Sequence, residues 1–418
     1  MSTKFSIQRT IEPEESPFDR QQRISWWDQE KLSKAKILVV GAGAIGNETL
    51  KNLALLGIGN IYIVDFDTVS TSNLSRAVLF RTTDKDRQKA EIAAIRTKEM
   101  ALQDDVCIQW FHGDAVWELG TGIFREMDIV LGCLDNVETR LFVNRQCWLT
   151  NTPWIDAGIY ELGGHVTVFI PPELPCYECA TTKEQREAAR VRLSCDEFKR
   201  TLLKEGKMPT VQVTSSIVSA IQVQETLKLL CHQKVESGKK IYFQGKLNDF
   251  DVLKLPQREN CIGHVTYPEI HSLPLNNSVK LRAFLEYVSQ ETFSGEGATL
   301  DYRGEDRAFV ISAKCKTCAK SINFNRPNFR IFDWEAICSD CRSSFGKDAK
   351  NDVSKDEMKT IGNKQTVSDF SLKETSESIL NMSLWQLGVP HRHVVAVRAK
   401  DQSYKYYELS QGNPFIEV

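Results

Sequence analysis

Lys36-Ile37-Leu38-Val39-Val40-Gly41-Ala42-Gly43-Ala44-Ile45-Gly46 is an apolar run that ends in a glycine turn. Such a run, with a helical pattern from Gly46 to Leu56 after it, reads as a buried strand, a tight turn and a helix. Glycines at the turn let backbone N–H groups approach a phosphate at the helix N-terminus. Working outward, Ile61–Val64 and Ile129–Gly132 read as further strands, and Lys85–Ala101 and Asn136–Leu149 as helices. Strands that alternate with helices predict an α/β fold, a doubly wound, Rossmann-like, mostly parallel sheet. Gly164–Ile170 reads as another strand, 182–208 as a mobile crossover loop, Val211–Leu230 as a long helix and Lys240–Leu255 as a strand pair. This first domain spans 1–264, residues 1–35 forming an N-terminal arm that ends in a short amphipathic helix. From 265 to 418 the pattern changes to short strands (Ala308–Ala313, Asn328–Phe332, His393–Ala399, Tyr404–Leu409), a smaller β-rich module. Residues 345–378 are polar and read as a flexible insertion.

At 418 residues with net charge −2, the chain suits a main domain plus an appendage and shows no global basic field for nucleic acid. No apolar run approaches the ~20 residues of a membrane helix. The N-terminal stretch carries acids and lacks the apolar core of a signal peptide. Twelve cysteines, most in ligand-like pairs, fit a reducing compartment with zinc better than a disulfide scaffold, so a cytoplasmic location is expected.

Taken alone, the glycine turn leaves dinucleotide binding, ATP binding and a purely structural turn level. Asp65, which ends the second strand, stands where an acid meets ribose hydroxyls. Beyond it come Asn73 and Arg76, then Lys89 at a helix start and Asp135-Asn136 at a strand end. Singly, each reads equally well as a solvated helix-end charge. Together they suit attack on an α-phosphate: two cations neutralise phosphate oxygens and Asp135 offers oxygen to Mg²⁺.

These residues resemble the adenylating enzymes related to ubiquitin activation, which include the molybdopterin-synthase and thiamine-biosynthesis adenylyltransferases. The resemblance runs from Phe18 to about His264. Phe18-Asp19-Arg20-Gln21 is similar to the family's N-terminal Tyr-x-Arg-Gln signature, and Asn73-Leu74-Ser75-Arg76 to its Asn-Leu-x-Arg signature. It implies that Gly41, Gly43, Ala44, Gly46, Asp65, Asn73, Arg76, Lys89, Asp135 and Asn136 surround ATP and Mg²⁺. It further implies that Arg20 reaches the ATP of the opposite subunit, hence a homodimer. Ala77 and Ala44 depart from the family's usual glutamine and glycine. The implied activity is ATP-dependent adenylation of the C-terminal glycine of a ubiquitin-like protein, with a sulfur-carrier protein as the alternative substrate.

Two metal sites are expected. Cys176-x-x-Cys179 with Cys261-x-x-His264 presents four zinc ligands, against the bland reading of a buried Cys261 and a surface His264. Cys315-x-x-Cys318 with Cys338-x-x-Cys341 has zinc-ribbon spacing. Cys195, among Arg190, Arg192, Lys199 and Arg200, is the candidate acceptor thiol, its alternative being a surface cysteine without a role. Cys107, Cys133, Cys147 and Cys231 read as core residues. The C-terminal module is read as a docking unit for a conjugating-enzyme-like protein in preference to a nucleic-acid-binding ribbon. A nicotinamide-dependent oxidoreductase and a non-catalytic scaffold are the rival classes.

Overall fold

The computed structural model describes residues 16–190, 209–293, 297–302, 307–316, 318–331, 338, 340–341 and 361–418. Cys195 and the stretch 345–360 lie outside them. Strands β1 (Lys36–Val40), β2 (Asn60–Asp65), β3 (Cys107–His112), β4 (Ile129–Gly132) and β5 (Trp154–Tyr160) run parallel in the order β3-β2-β1-β4-β5. Strands β6 (Gly163–Phe169), β7 (Lys239–Gln244) and β8 (Asp249–Lys254) continue that sheet antiparallel. The α/β, doubly wound sheet expected from the sequence is what forms.

The continuous apolar runs follow from burial on both faces. Ile37, Val39, Ile61 and Ile63 pack under α3 (Ala44–Leu55), α4 (Lys89–Met100) and the long helix Gln212–Leu230. Leu38, Val40, Val64, Trp154 and Phe169 face α6 (Thr121–Arg125) and α7 (Val137–Thr150). β2 lies on one side of β1 and β4 on the other, so the crevice of a topological switch point opens at the carboxyl end of β1, where the glycine turn stands.

The C-terminal module holds a five-stranded sheet. It consists of β9 (Ile270–Leu273), β10 (Thr299–Asp301), β14 (Asp369–Ser371), β15 (Val394–Arg398) and β16 (Tyr404–Leu409), with its own core around Phe284, Leu300, Phe370 and Tyr407. A three-stranded sheet of β11 (Phe309–Cys315), β12 (Ser321–Pro327) and β13 (Ile361–Val367) carries the second cysteine cluster.

Three expectations change. Residues 361–378, read as part of a flexible insertion, form β13, β14 and the start of a short helix Glu377–Leu380. Register with β11 and β10 supplies order that local composition lacks. Asn328–Phe332, read as a strand, begins with a 3₁₀ turn over Asn328–Arg330. Lys183–Arg190, read as loop, is helix α8, while the rest of the crossover segment, 191–208, lies outside the described residues.

The module is clamped to the first domain. Glu408, 3 % exposed, accepts from Arg125 at 2.8 Å and from Arg392, which also reaches Glu126 at 2.9 Å. Arg307 donates to the Gly388 carbonyl at 2.9 Å and, more loosely, to that of Trp117 at 3.4 Å, while Trp117 stacks on Phe329 at 4.3 Å. Strand β17 (Ile416–Glu417) returns to pair antiparallel with β3, extending the first sheet. No helix among the described residues is long and apolar enough to cross a membrane.

Candidate functional site

The turn between β1 and α3 is built to stay open on one side only. Gly41 has φ +98°, and a Cβ there would lie 2.5 Å from the Cys133 carbonyl oxygen. A Cβ on Gly46 would lie 2.1 Å from the Gly41 carbonyl oxygen. Both glycines are demanded by the protein's own packing. At Gly43, by contrast, a Cβ would meet nothing within 4 Å. Buried Asn47 braces the loop from beneath, donating to the Ala42 and Gly43 carbonyls at 2.8 and 3.0 Å and accepting from the Leu79 N–H at 2.9 Å. No side chain caps the N-terminus of α3, so its orphan N–H groups face the open side.

Asp65 closes the second edge. Its carboxylate accepts from the Ala42 and Asp67 N–H groups, each at 2.7 Å. Burial pushes this carboxyl above the usual carboxylate value, and the nearby Lys89 ammonium pulls it down. Lys89 is 8 % exposed and donates to Asp67 at 2.9 Å. Burial works against its charge, but Asp65, Asp67 and Asp135 outweigh that and hold Lys89 above its ordinary value. Asp65 and Asp135 stand at or just past the carboxyl ends of β2 and β4, the two strands that flank β1, and Lys89 is held beside Asp65 by its bond to Asp67.

Asp135 is exposed, and among the described residues its carboxylate accepts only from the Asn136 amide, at 3.2 Å. The Asn136 side-chain Oδ1 caps α7, accepting from the Thr139 N–H at 2.8 Å. Asn73 likewise serves the backbone, accepting from the Ser70 N–H and hydroxyl at 2.9 Å each. Arg76 is half-buried, and its guanidinium has no partner among the described residues. Ala44 is the first residue of α3. Arg20 is not brought to this space. It lies exposed on α1 (Asp19–Gln22), directly after Phe18, which packs against Gly57 beyond the far end of α3. Twelve helical residues separate the two ends, about 18 Å. Asp67 escaped the sequence reading, although its alternation with Asp65 across Phe66 puts two acids beside one strand end.

An adenosine triphosphate fits this donor set. The uncapped helix start and the open face of Gly43 suit phosphates, Asp65 suits ribose, and Asp135 offers oxygen ligands of the kind Mg²⁺ takes. Replacing Gly43 by Ala separates ligand space from packing. The backbone at φ −77° accepts alanine, so Gly43→Ala is expected to melt with the wild type yet bind ATP at least tenfold more weakly. Calorimetric titration of the two proteins checks this.

The first metal cluster brings together Cys176, Cys179, Cys261 and His264, with ligand atoms all within 4.8 Å of one another. The Cys176 sulfur lies 3.8 Å from that of Cys179 and 3.7 Å from that of Cys261. Tetrahedral zinc with bonds of about 2.3 Å puts its sulfurs about 3.8 Å apart, so the cage has the size of the ion. His264 packs on Trp148 with ring centres 4.7 Å apart, and Asn144 accepts from the Tyr177 N–H at 2.9 Å, fixing the first pair on α7. The second cluster, Cys315, Cys318, Cys338 and Cys341, shows the same spacing: 3.8 Å between Cys315 and Cys341, and 3.7 Å between Cys318 and Cys338. Of the cysteines expected in the core, Cys133, Cys147 and Cys231 are buried, and burial pushes the Cys133 thiol up to about 12; Cys107 is half-exposed.

The family profile described as the ThiF family matches residues 18–263, more than half of the chain. The chain belongs to the ThiF family. Among curated relatives, the sulfur carrier protein ThiS adenylyltransferase of Escherichia coli is 29 % identical over 56 % of this chain and 87 % of its own length. SUMO-activating enzyme subunit 2 of Dictyostelium discoideum is 42 % identical over 36 % of this chain and 22 % of its own length. The adenylyltransferase and sulfurtransferase MOCS3 of Anopheles gambiae is 29 % identical over 56 % of this chain and 50 % of its own. The chain spans less than a third of the two SUMO-activating relatives it matches. A crystal structure of E. coli MccB with MccA-N7isoASN superposes at TM-score 0.50 and 20 % identity, covering 60 % of this chain and 76 % of that one, a likeness of fold. The family match ends at 263, so the module from 265 onward lies outside it.

Proposed function

We propose that this chain is an ATP-dependent adenylyltransferase acting on the C-terminal glycine of a ubiquitin-like or sulfur-carrier protein. The observation that carries the reading is the uncapped glycine turn at the switch point, with Asp65 bonded to its Ala42 N–H, Lys89 bonded to Asp67 beside it, and Asp135 following β4, the strand next to β1. Family membership supports it. The carrier's terminal carboxylate attacks the α-phosphorus of ATP; a new C–O–P link forms, the bond to the β-phosphate oxygen breaks, and pyrophosphate leaves. Asp65 orients the ribose, Lys89 and Arg76 meet phosphate oxygens, and Asp135 would hold Mg²⁺, which supplies further charge neutralisation. Arg20, too far to serve its own crevice, would act on that of a second copy in a homodimer.

Between the two substrate classes we favour the ubiquitin-like one, in which Cys195 takes the acyl group from the adenylate as a thioester, AMP leaves, and a conjugating partner receives it. The large appended module suits that handover as a protein-docking unit. The sulfur-carrier reading sends the same adenylate to a sulfur donor. Carrier-dependent ATP–pyrophosphate exchange tests the shared step; retention of NAD without exchange returns the oxidoreductase reading. Cys195→Ala is expected to abolish a thiol-reducible adduct with the carrier on gels while leaving exchange within about twofold. An adduct that persists in the variant removes Cys195 from the mechanism.

A further inference from the structure

We infer that Arg140 is a positioning residue for the turn that carries Asp135, a role that rests on the adenylation reading above. Asp135 itself is exposed and nearly unsupported, so its aim depends on the three residues before it. All three are held by hydrogen bonds, Cys133 also through its sulfur to Thr49 and Gln222. The Gly132 carbonyl accepts from Gln222 at 3.1 Å, the Cys133 N–H donates to the Val40 carbonyl at 2.9 Å, and the Leu134 carbonyl accepts from Arg140 Nη2 at 2.7 Å. Of these, the Arg140 bond is nearest to Asp135 along the chain. The same Nη2 donates to the Ala157 carbonyl on β5 at 3.0 Å, so it joins the turn to the next strand, as Gln222 does further back by donating to both Gly132 and Ile155.

Arg140 is itself held from behind. Its Nε donates to Asp156 at 2.9 Å, with side chains 13 % and 1 % exposed, and His165 lies 3.6 Å from the other Asp156 oxygen. Gly158 makes room for this arrangement: a Cβ there would lie 2.6 Å from the His165 ring and 3.0 Å from Arg140 Nη2. A planar guanidinium can serve a carboxylate and two carbonyls at fixed angles, and a lysine ammonium on a flexible stem cannot. The arrangement therefore behaves as the outer support of a metal ligand, of the kind whose loss weakens metal binding by about 10–100-fold.

The test uses the full chain and the non-hydrolysed analogue AMP-PNP, titrated calorimetrically with and without Mg²⁺. Wild type is expected to bind more tightly when Mg²⁺ is added. In Arg140→Lys that gain is expected to fall about tenfold, with metal-free affinity and zinc content unchanged, since only the aim of Asp135 is altered. Asp156→Asn, which keeps the hydrogen bond and removes the charge, is expected to lose a smaller part of the gain and decides the matter if Arg140→Lys does not fold. A gain preserved in the variants, or an equal loss of metal-free affinity, overturns the role. A wild type that binds no AMP-PNP overturns the adenylation reading itself, which keeps the two failures apart.

Discussion

Lys89→Met is expected to lower carrier-dependent ATP–pyrophosphate exchange by roughly 10²–10³-fold, the range seen when one preorganised charge-stabilising donor is removed. Methionine keeps the length and the buried stem, so the effect is electrostatic. Without the ammonium, Asp67 loses its 2.9 Å partner, and Asp65 and Asp67 lose the cation that offsets their charge where the triphosphate would bind. Nucleotide titration should show the weakening before any turnover. Exchange within about twofold of wild type would remove Lys89 from the phosphate site and the adenylation reading with it. The pH behaviour follows from the sign of the shift. Lys89 is held above its ordinary 10.5 in the folded chain, so its contribution to stability is complete below 10.5 and is lost only as pH climbs through the raised value. Thermal melts across that alkaline window should show a loss in wild type that Lys89→Met lacks.

The second large effect concerns the metals. Each cage offers four ligands at the spacing of tetrahedral zinc, so elemental analysis is expected to find two zinc ions per chain. Structural zinc sites carry apparent energies on the order of 10 kcal/mol. Cys179→Ser should lose one ion and lower the melting temperature by on the order of 10 °C, because its cage joins the segment after β6 to the end of the first domain across Trp148. Cys338→Ser should lose the other ion and loosen β11, β12 and β13 while nucleotide binding persists, since that cage packs on Ile322 of the small sheet. Wild-type protein that folds with no zinc, or one variant that empties both cages, would contradict the assignment.

The legible parts of the sequence were those where local pattern and burial agree. Ile37-Leu38-Val39 reads as a strand because both faces of that strand are covered, and the ligand pairs read as cages because chelation fixes their spacing. In sequence Asn73 and Asn136 suit ligand roles, and in the fold both also organise backbone, one in a 3₁₀ turn and one as a helix cap. Either role uses the same amide, and sequence alone does not separate them. Residues 361–378 were misread for the opposite reason: a strand such as Lys364–Val367 takes its order from pairing with Phe309–Ala313, some fifty positions away, and its own composition is that of a loop.

The doubly wound sheet, the glycine turn and the two four-ligand clusters are legible from the chain alone, because each is written in short-range spacing. Long-range packing alone settles which glycines meet the chain's own backbone and which stays open, brings Asp67 to Lys89 and Arg140 to the Leu134 carbonyl, and closes the last strand onto β3. It also decided that Arg20 stands at the far end of α3. Those facts are set by the meeting of segments tens to hundreds of residues apart, where packing and buried charge, and not periodicity, select the partner.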